Sequence, residues 1–344
     1  MRIGVNALYL IPGGVGGTEI YLRSLLAALA RVDQTNEYFV FTNRETGADL
    51  VPERFTQVPC GVDAVFRPGR ILYEQFVLPS RRPKVDVLFN PGFTAPVAHP
   101  NNVTVFHDLQ HKRHPEYFRW FDLPFWNALL WASVRRSRRL IAVSEATRDD
   151  LQKFYGAAST VVHHGADPAF FEIAKQRSPE DFFLCVSTLH PHKNIERLVR
   201  AFAIYDKSRL VLAGMKGFQT EAVERQIQSL GIADRVRVTG WIARDELLDL
   251  YRRAKGFLYP STFEGFGMPV IEALAAEVPL ACSDIEPMRS LAAGDAILFD
   301  PLRDEAVAEA FVRLETAKPR SNERIRREFT WEQAARRTLE VLNA

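Results

Sequence analysis

Short apolar runs alternate with amphipathic segments along the first half of the chain. The apolar runs predict strands at Arg2–Val5, Tyr38–Thr42, Val85–Phe89, Asn102–Phe106, Leu140–Val143 and Thr160–Val162. Two longer segments predict helices, at Thr18–Ala30, where Thr18 is a suitable N-cap, and at Leu123–Ser137. Repeated alternation of strand and helix predicts a parallel sheet with helices on both faces.

The same alternation begins again after Asp181. Strands are expected at Phe182–Val186, Arg209–Ala213, Val236–Val238, Gly256–Tyr259 and Pro279–Cys282, and helices at Ile195–Tyr205, Thr220–Leu230, Glu246–Arg253 and Pro269–Ala276. Residues 166–180, with two prolines, predict the break between the two halves. The sequence therefore predicts two doubly wound domains, with ligands where strand carboxyl ends face a crevice. Trp331–Leu342 predicts a final helix.

Composition agrees with a globular protein of this kind. A length of 344 residues suggests two domains of roughly 150 residues or more. Hydrophobic residues make up 47% and charged residues 25%, which excludes a disordered chain, a coiled coil and a collagen-like fibre. The net charge of +2 does not suit a protein that coats nucleic acid. Cys60, Cys185 and Cys282 are too few for a disulfide scaffold or a zinc site, and indicate a reducing cytosol.

Four segments carry candidate chemistry, and the first is the glycine-rich run at 13–17, before Thr18 and Glu19. Glycines at the start of a helix let backbone amides approach an anion. The run fails as a dinucleotide fingerprint because Glu19 stands where the third glycine belongs, which argues against a nicotinamide dehydrogenase. A flexible turn without a ligand is the alternative.

The second segment is His107-Asp108-Leu109, at the carboxyl end of a predicted strand. Catalytic groups gather there in open α/β sheets, and histidine can donate or accept a hydrogen bond near neutral pH. A purely structural histidine is the alternative. His111 and His114 follow closely, but their spacing matches no standard zinc signature.

The third segment runs from Ser187 to Asn194 and ends a strand, forms a loop and opens a helix. Lys193 lies where a cation and helix amides can bind phosphate together, and a solvated surface lysine is the alternative. The fourth and most specific segment is 260–274, with a glycine loop, Pro269 in the first helical turn, Glu264 and Glu272. A carboxylate among apolar residues needs a partner, and for Glu272 a ribose diol is a good one.

Together these segments resemble a retaining glycosyltransferase of family 4, over nearly the whole chain. The resemblance rests on the glycine run, on His107-Asp108-Leu109, on Lys193 in "HPHKN" and on the Glu264–Glu272 pair. It also includes "VVHHGAD" at 161–167, where the family usually has asparagine at His164, and "FTWEQAARRTLEVL" at 329–342. The sequence departs from the family at Ser187, where many members have an arginine that assists the lysine.

The resemblance implies the GT-B fold: two doubly wound, parallel-sheet, Rossmann-like domains that face a central cleft. Residues 1–168 would form the acceptor-binding domain, and residues 169–328 the domain that binds the nucleotide-sugar donor. The C-terminal helix, 329–344, would cross back to the N-terminal domain.

The resemblance also implies the roles of individual residues. His107, Lys193 and Glu264 would be catalytic, and Asp108 would contact the acceptor. The donor would be bound by Gly16, Gly17, Ser187, Lys193, Glu264, Gly265, Phe266, Gly267, Met268 and Glu272. No cofactor and no metal would be required, because Lys193 and helix N-termini can neutralise the leaving diphosphate.

The implied reaction moves a hexose to a saccharide or lipid-linked acceptor in surface polysaccharide synthesis. The run "FHDLQHKRHPEYF" favours mannose from GDP-mannose. A UDP-sugar-dependent transferase, a nucleotide-sugar 2-epimerase and a non-catalytic sugar-nucleotide-binding protein are the alternatives. We expect a cytoplasmic protein, because no apolar run reaches the roughly 18 residues of a membrane span.

Aromatic residues at 117–131 and arginines at 135–139 lie in the presumed acceptor domain. They could bring the protein to the inner face of the membrane as a peripheral protein. The alternative, which we favour for most of these aromatic residues, is that they pack in the core.

Overall fold

The computed structural model describes residues 1–14, 16–215, 217 and 219–344. The chain divides into two compact units. Unit 1 comprises Met1–Gly165 and Trp331–Ala344, and unit 2 comprises Ala166–Thr330. The two crossings between the units therefore lie within three residues of the expected boundaries at 168 and 329.

Unit 1 contains a parallel sheet with helices packed against it. The strands are β1 (Arg2–Asn6), β2 (Glu37–Thr42), β3 (Thr56–Pro59), β4 (Val87–Asn90), β5 (Asn102–Phe106), β6 (Ser137–Ala142) and β7 (Thr160–Val161). The helices are α1 (Gly17–Val32), α2 (Arg67–Leu72), α3 (Gln110–Arg113), α4 (Leu123–Arg136) and α5 (Glu145–Tyr155). Within the described residues the strand order is β3-β2-β1-β4-β5-β6-β7, and each neighbouring pair is parallel.

Unit 2 repeats this plan with its own sheet. The strands are β8 (Glu180–Val186), β9 (Arg209–Ala213), β10 (Val236–Gly240), β11 (Ala254–Tyr259), β12 (Leu280–Ser283) and β13 (Ile297–Phe299). The helices are α6 (Pro168–Ala174), α7 (Ile195–Tyr205), α8 (Thr220–Ser229), α9 (Arg244–Arg253), α10 (Met268–Ala275), α11 (Met288–Ala292), α12 (Asp304–Leu314) and α13 (Glu323–Glu328). Across the described part of the unit the strand order is β10-β9-β8-β11-β12-β13, again parallel.

The strand order places a candidate crevice in each unit. Both sheets start from a central strand, run outward in one direction, and then return to the other side of that first strand. The order therefore reverses between β1 and β4 in unit 1, and between β8 and β11 in unit 2. In open α/β sheets, ligands bind outside the carboxyl ends of the two strands that flank such a reversal.

Apolar periodicity explains why α7 covers the sheet of unit 2. Leu198, Val199, Phe202 and Tyr205 recur at intervals of one to four residues, and all four are buried against β8, β9 and α12. A stripe of this width faces the core of a globular protein. The loops at the carboxyl ends of β8 and β11 therefore extend from a well-packed core.

The last helix, α14 (Trp331–Asn343), belongs to unit 1, where it packs along α1. The rings of Tyr21 and Trp331 lie 6.0 Å apart, and Arg31 pairs with Glu332 at 2.6 Å. The two crossings between the units run side by side, because the Ala166 amide donates to the Phe329 carbonyl at 2.9 Å and Ala166 forms a bridge with Thr330.

Each strand and helix expected from the sequence is present, with ends that shift by up to three residues. The expected break at 166–180 contains α6, which Asp167 caps by accepting a hydrogen bond from the Ala169 amide at 2.9 Å. The sequence did not predict strands β3 and β13, helices α2, α3, α5, α6, α11, α12 and α13, or the helical turn Tyr73–Val77. None of the helices in the described ranges has both the length and the apolar character that crossing a membrane requires.

Candidate active site

Two loops of unit 2 meet at the carboxyl ends of β8 and β11. The first passes through a 3-10 turn, Pro191–Lys193, and the second spans residues 260–267. The His192 carbonyl joins them, because it accepts hydrogen bonds from the Thr262 amide (2.7 Å), the Ser261 hydroxyl (3.0 Å) and the Thr262 hydroxyl (3.1 Å). The residues that follow each loop are thereby held in one arrangement.

Lys193 and Glu264 form an ion pair between these loops. The Lys193 ammonium donates to Glu264 Oε1 at 2.5 Å and to Tyr259 Oη at 3.0 Å. Tyr259 in turn donates to Glu264 Oε1 at 2.7 Å. The side chains of Lys193 and Glu264 are 16% and 11% exposed, so both charges are largely removed from water.

The ion pair controls the ionisation of Glu264. Burial by itself would raise the pKa of this carboxyl, but the charge of Lys193 and hydrogen bonds from Lys193, Tyr259 and Ser261 outweigh burial and lower the pKa. Burial and the neighbouring Glu264 charge raise the pKa of Tyr259 well above its usual value. The cluster therefore holds a carboxylate, an ammonium and a neutral phenol at neutral pH.

Asn194 fixes the start of α7 beside this cluster. Its backbone is left-handed, with φ of 58°, a conformation that asparagine tolerates better than most residues. Its side-chain amide donates to the carbonyls of Pro260 (3.1 Å) and Pro301 (2.7 Å). Three strand ends are thereby tied together, since β8 precedes Asn194, β11 precedes Pro260 and β13 precedes Pro301.

The glycine loop leads into α10. Gly267 precedes the helix with φ of 102°, a value that favours glycine, and Pro269 lies in the first turn, where its missing N–H costs nothing. Phe266 is buried, with its ring 6.3 Å from that of Phe329. Gly265 and Met268 flank this anchored position. The amides at the start of α10 carry the partial positive charge of a helix N-terminus.

Glu272 lies one turn into α10, among buried apolar neighbours. Burial raises the pKa of its carboxyl to about 7, the hydrogen bond from Tyr251 lowers it in part, and the charge of Asp167 adds to the rise. The Tyr251 hydroxyl donates to Glu272 Oε2 at 3.0 Å. This carboxyl thus changes its charge near neutral pH, in contrast to Glu264.

Ser187 and two glycines shape the end of β8. The Ser187 hydroxyl donates to the Thr188 carbonyl at 3.0 Å, within its own loop. A Cβ on Gly214 would lie 2.2 Å from the Ser187 carbonyl oxygen, and one on Gly217 would lie 2.3 Å from that of Leu189. The loop after β9 therefore lies so close to the loop after β8 that a side chain at either glycine would collide with it.

In unit 1, His107 follows β5 and is 8% exposed. Its Nε2 lies 2.8 Å from the Pro91 carbonyl, and burial lowers its pKa to about 4 although that hydrogen bond opposes the shift. A carbonyl only accepts, so Nε2 carries the proton and the neutral ring keeps Nδ1 as its acceptor. The rings of Tyr21, Phe93 and His164 surround it at 4.8, 5.3 and 5.6 Å.

Asp108 and the glycine run occupy two helix starts of unit 1. Asp108 Oδ1 accepts from the Gln110 amide at 2.8 Å, at the beginning of α3. Gly16 has φ of 57° and precedes α1, which Gly17 opens. Glu19 Oε2 accepts from the Gly13 amide at 2.7 Å, so this side chain folds the glycine run back onto α1. Val15, within that run, lies outside the described residues.

His111 and His114, which follow His107 after β5, contact different partners. His111 Nε2 lies 2.8 Å from the Tyr155 hydroxyl, and His114 Nδ1 lies 2.9 Å from Glu116 Oε1. In the part of the chain that the structure describes, no three His, Cys, Asp or Glu side chains are grouped so as to hold a metal ion.

The structure thus brings Ser187, Lys193, Glu264, the 265–268 loop and Glu272 to one end of the sheet of unit 2. His107, Asp108, Gly16 and Gly17 belong to unit 1. Sequence reasoning missed Tyr259 and Tyr251, which hold the two glutamates. The only signal for Tyr259 in the sequence was its place at the end of a predicted strand. Tyr251 had no such signal, because it lies on α9 and contacts Glu272 on α10.

Comparisons with known proteins match both units. The family model described as "Glycosyl transferases group 1" matches residues 167–330, and the model "Glycosyltransferase Family 4" matches residues 15–170. The O-antigen chain mannosyltransferase RfbU of Salmonella typhimurium is 27% identical over 226 residues, which cover 64% of this chain and 63% of RfbU. O-antigen chain mannosyltransferase B of Escherichia coli is 22% identical, over 74% of this chain and 73% of that protein.

Solved structures share the fold. Anabaena HepE, in complex with UDP and glucose, has a TM-score of 0.77 at 18% identity, over 100% of this chain and 99% of HepE. Sucrose-phosphate synthase from Thermosynechococcus elongatus has a TM-score of 0.76 at 18% identity, over 100% and 98%. These likenesses confirm the two-domain GT-B fold. Because the two family models together span residues 15–330, the chain is a glycosyltransferase of the family 4 type.

Proposed function

We propose that this protein transfers a hexosyl group from a nucleotide diphosphate sugar to an acceptor hydroxyl, with retention of the anomeric configuration. The observation that carries the proposal is the arrangement in unit 2. A largely buried Lys193, a carboxylate at Glu264 and a second carboxyl at Glu272 surround the start of α10. Family membership supports the reaction class.

Lys193 and α10 would stabilise the leaving diphosphate. An ammonium has three donors, and two are directed at Tyr259 and Glu264. The third can reach a phosphate oxygen, while the first amides of α10, after Gly267, bind another. Preorganised positive charge of this kind stabilises a departing diphosphate more than its ground state, because negative charge grows on the leaving oxygen.

The two glutamates would bind opposite ends of the donor. Glu272, in its ionised form, would accept hydrogen bonds from the ribose hydroxyls. Glu264 would accept them from hydroxyls of the sugar, since its lowered pKa keeps it a carboxylate. Phe266, anchored against Phe329, would position Gly265, Gly267 and Met268 along the diphosphate and sugar. Ser187 would contact the diphosphate in place of the arginine that many family members have.

In unit 1, His107 would act as a hydrogen-bond acceptor for the transferred sugar. The Pro91 carbonyl fixes its tautomer, and the lowered pKa keeps the ring neutral across the physiological range. It therefore cannot serve as an imidazolium. We propose that Gly16 and Gly17 approach the diphosphate or the acceptor, and that Asp108 contacts the acceptor.

The proposed reaction needs no strong protein nucleophile. The bond from the anomeric carbon to the diphosphate oxygen breaks as the acceptor oxygen attacks, and the leaving phosphate accepts the acceptor's proton. Lys193 and the helix N-terminus supply positive charge for this step, so we expect activity without added metal. Transfer that depends strictly on magnesium and stops with a chelator would contradict this expectation.

We propose GDP-mannose as the donor and a saccharide or lipid-linked acceptor, as in surface polysaccharide synthesis at the inner face of the cytoplasmic membrane. Two O-antigen chain mannosyltransferases among the relatives support this. A UDP-sugar is the second candidate, favoured by HepE, which was solved with UDP and with UDP-glucose.

A thermal-shift panel separates the candidates. GDP-mannose, UDP-glucose, UDP-N-acetylglucosamine, GDP and UDP are each added at about 100 times their dissociation constants, which stabilises a bound protein by about 2.7 kcal/mol. We expect melting to rise by roughly 5–11 °C with GDP and GDP-mannose. A shift confined to uridine nucleotides would reject GDP-mannose, and no shift with any nucleotide would reject the donor site. Product analysis without acceptor detects a 2-epimerase, because an epimerised nucleotide sugar would then accumulate.

A further inference from the structure

Unit 1 carries a large exposed apolar surface on residues 65–77 and 117–131, here called the aromatic face. Among the described residues of unit 1, the large apolar side chains that are more than half exposed all lie on this face. They are Val65, Phe66, Leu72, Phe76, Trp120, Phe121, Phe125 and Trp131. Most of the aromatic residues expected to pack in the core are therefore exposed, which makes that expectation wrong.

Helix α4 shows how unusual this face is. Its inner side is buried through Leu129, Leu130 and Val134. Phe125 and Trp131, which lie about 120° apart around the helix axis, are both more than half exposed. A helix that is apolar all round is normally buried. From residue 124 to residue 131, α4 approaches this case, because its exposed side chains there are Pro124, Phe125, Ala128 and Trp131; exposed charge begins only at Arg135.

The two segments form one continuous surface. The Arg67 guanidinium lies 3.9 Å from the centre of the Trp126 ring, which joins α2 to α4. Between these helices runs a groove of about 480 Å³, with Ile71, Leu72 and Phe76 on one side and Phe125 on the other. A contiguous apolar surface of this kind marks a binding site.

The charge around the aromatic face indicates the chemistry of the partner. The chain segments that contain and border the face, residues 65–82 and 109–139, hold eleven Lys and Arg but three Asp and Glu, and of these cations Arg113 is paired with Asp150. Arg119 and Arg135 lie 5.9 and 5.8 Å from the rings of Phe121 and Trp131. Such an excess opposes the pairing of two copies through this face. Tryptophan and phenylalanine bordered by arginine suit the interface of an anionic bilayer.

We propose that the aromatic face docks on the surface of an anionic lipid bilayer, with Leu72, Phe76, Trp120 and Trp131 in the interfacial region and the arginines against lipid phosphates. The inference deepens the proposed function, because it specifies the surface that would bring a lipid-linked acceptor to the enzyme. The role in bringing the acceptor rests on the proposed function, whereas the docking itself is inferred from the exposed residues.

Vesicle co-sedimentation of the full chain tests the proposal. Vesicles of phosphatidylcholine alone are compared with vesicles of equal parts phosphatidylcholine and phosphatidylglycerol. We expect binding to the anionic vesicles, weakened by salt, and much less to the neutral ones. No binding to anionic vesicles, or equal binding to both kinds, would overturn the proposal.

Matched variants locate the surface. Leu72→Ser and Ile204→Ser each remove an aliphatic side chain that is 59% exposed on a helix, in unit 1 and unit 2 respectively. We expect Leu72→Ser and Trp120→Ser each to weaken partitioning by about tenfold or more, and Ile204→Ser to leave it unchanged. Equal losses in Leu72→Ser and Ile204→Ser would overturn the proposal. So would a dimer, seen without vesicles by sedimentation velocity, that Leu72→Ser dissociates.

The nucleotide-dependent rise in melting temperature is measured on the same samples. It confirms that each variant is folded, and it keeps the two hypotheses apart. A rise without vesicle binding overturns the docking surface alone. Vesicle binding without any rise overturns the proposed donor site and supports the docking surface.

Discussion

Replacing Glu272 by glutamine should stabilise unit 2 at alkaline pH while it weakens donor binding. The carboxyl has a pKa of about 7 in the folded chain because burial disfavours its charge, against a usual value of 4.5. The folded state therefore keeps a proton that the unfolded state releases between these two values. Stability must fall as pH rises through this window, because the unfolded state binds fewer protons there. Glutamine keeps the size of the side chain and an acceptor for Tyr251, but has no charge to bury.

The size of the effect follows from the shift in pKa. Each unit corresponds to about 1.4 kcal/mol, so a rise from 4.5 to about 7 lowers the free energy of unfolding by about 3 kcal/mol once the pH exceeds 7. For a unit of this size, 1 kcal/mol changes the melting temperature by roughly 2–4 °C. We therefore expect Glu272→Gln to melt roughly 6–12 °C higher than the parent at pH 8, and at nearly the same temperature at pH 4.

Calorimetric melting at both pH values measures this difference. Glu309→Gln is the matched control, because Glu309 is an exposed glutamate in the middle of α12. It should change the melting temperature little at either pH. A Glu272→Gln protein that melts with the parent at pH 8, or that gains equally at pH 4 and pH 8, would refute the conclusion that a buried charge at Glu272 destabilises unit 2.

Donor binding should respond in the opposite direction. If ribose hydroxyls bind the ionised carboxyl, the parent must release a proton on binding below pH 7, so its dissociation constant for a nucleotide sugar should be about tenfold higher at pH 6 than at pH 8. Glu272→Gln should bind more weakly at pH 8 and show a flat profile. A nucleotide sugar is the suitable ligand because its diphosphate has no ionisation near neutral pH. Equal affinity of the two proteins at pH 8 would remove Glu272 from the donor site.

Three further predictions follow from other parts of the two units. Lys193→Ala and Glu264→Ala should each slow transfer by about 100-fold or more, and near-normal turnover in either variant would remove that residue from catalysis. Gly267→Ala should lower the free energy of unfolding by about 1–2 kcal/mol in urea titrations, because φ of 102° strains an alanine; an unchanged midpoint would contradict the strain. Unit 1 should lose stability as pH falls from 6.5 towards 4, because His107, His111 and His164 bind a proton in the unfolded chain, whereas burial keeps the folded rings neutral. Acid titration of stability that is flat across this range would contradict the lowered pKa values of these histidines.

Local periodicity accounts for what the sequence could predict of the fold. Ile195–Tyr205 and Arg209–Ala213 have the predicted ends, because their apolar spacing is regular and their boundaries are polar. Helix α5 was missed although Ser144 caps it by accepting from the Thr147 amide, because its apolar residues are few. The segment 65–77 was missed for the opposite reason: its apolar residues are exposed and follow no core-facing pattern.

The candidate site likewise has residues that the sequence predicts and properties that it does not. Lys193, Glu264 and Glu272 could be read from the sequence because each belongs to a short strand–loop–helix segment. Their ionisation could not, since it depends on residues distant in sequence, above all Tyr251 for Glu272 and the Lys193–Glu264 pair itself. The exposure of the aromatic residues at 117–131 could not be predicted either, because the number of apolar residues does not tell whether they are buried in a core or exposed on an interaction surface.

The place of α14 in unit 1 has a consequence for the order of events on the ribosome. The partner of α1 follows unit 2 in the chain, so the side of α1 that packs along α14 stays uncovered, and Tyr21 lacks its contact with Trp331, until residues 166–330 have been made. Unit 2 is continuous and can complete its fold as soon as it emerges, whereas unit 1 must wait for a segment translated afterwards. Nascent chains stalled after residue 330 should therefore resist proteolysis in unit 2 before unit 1 acquires the same protection.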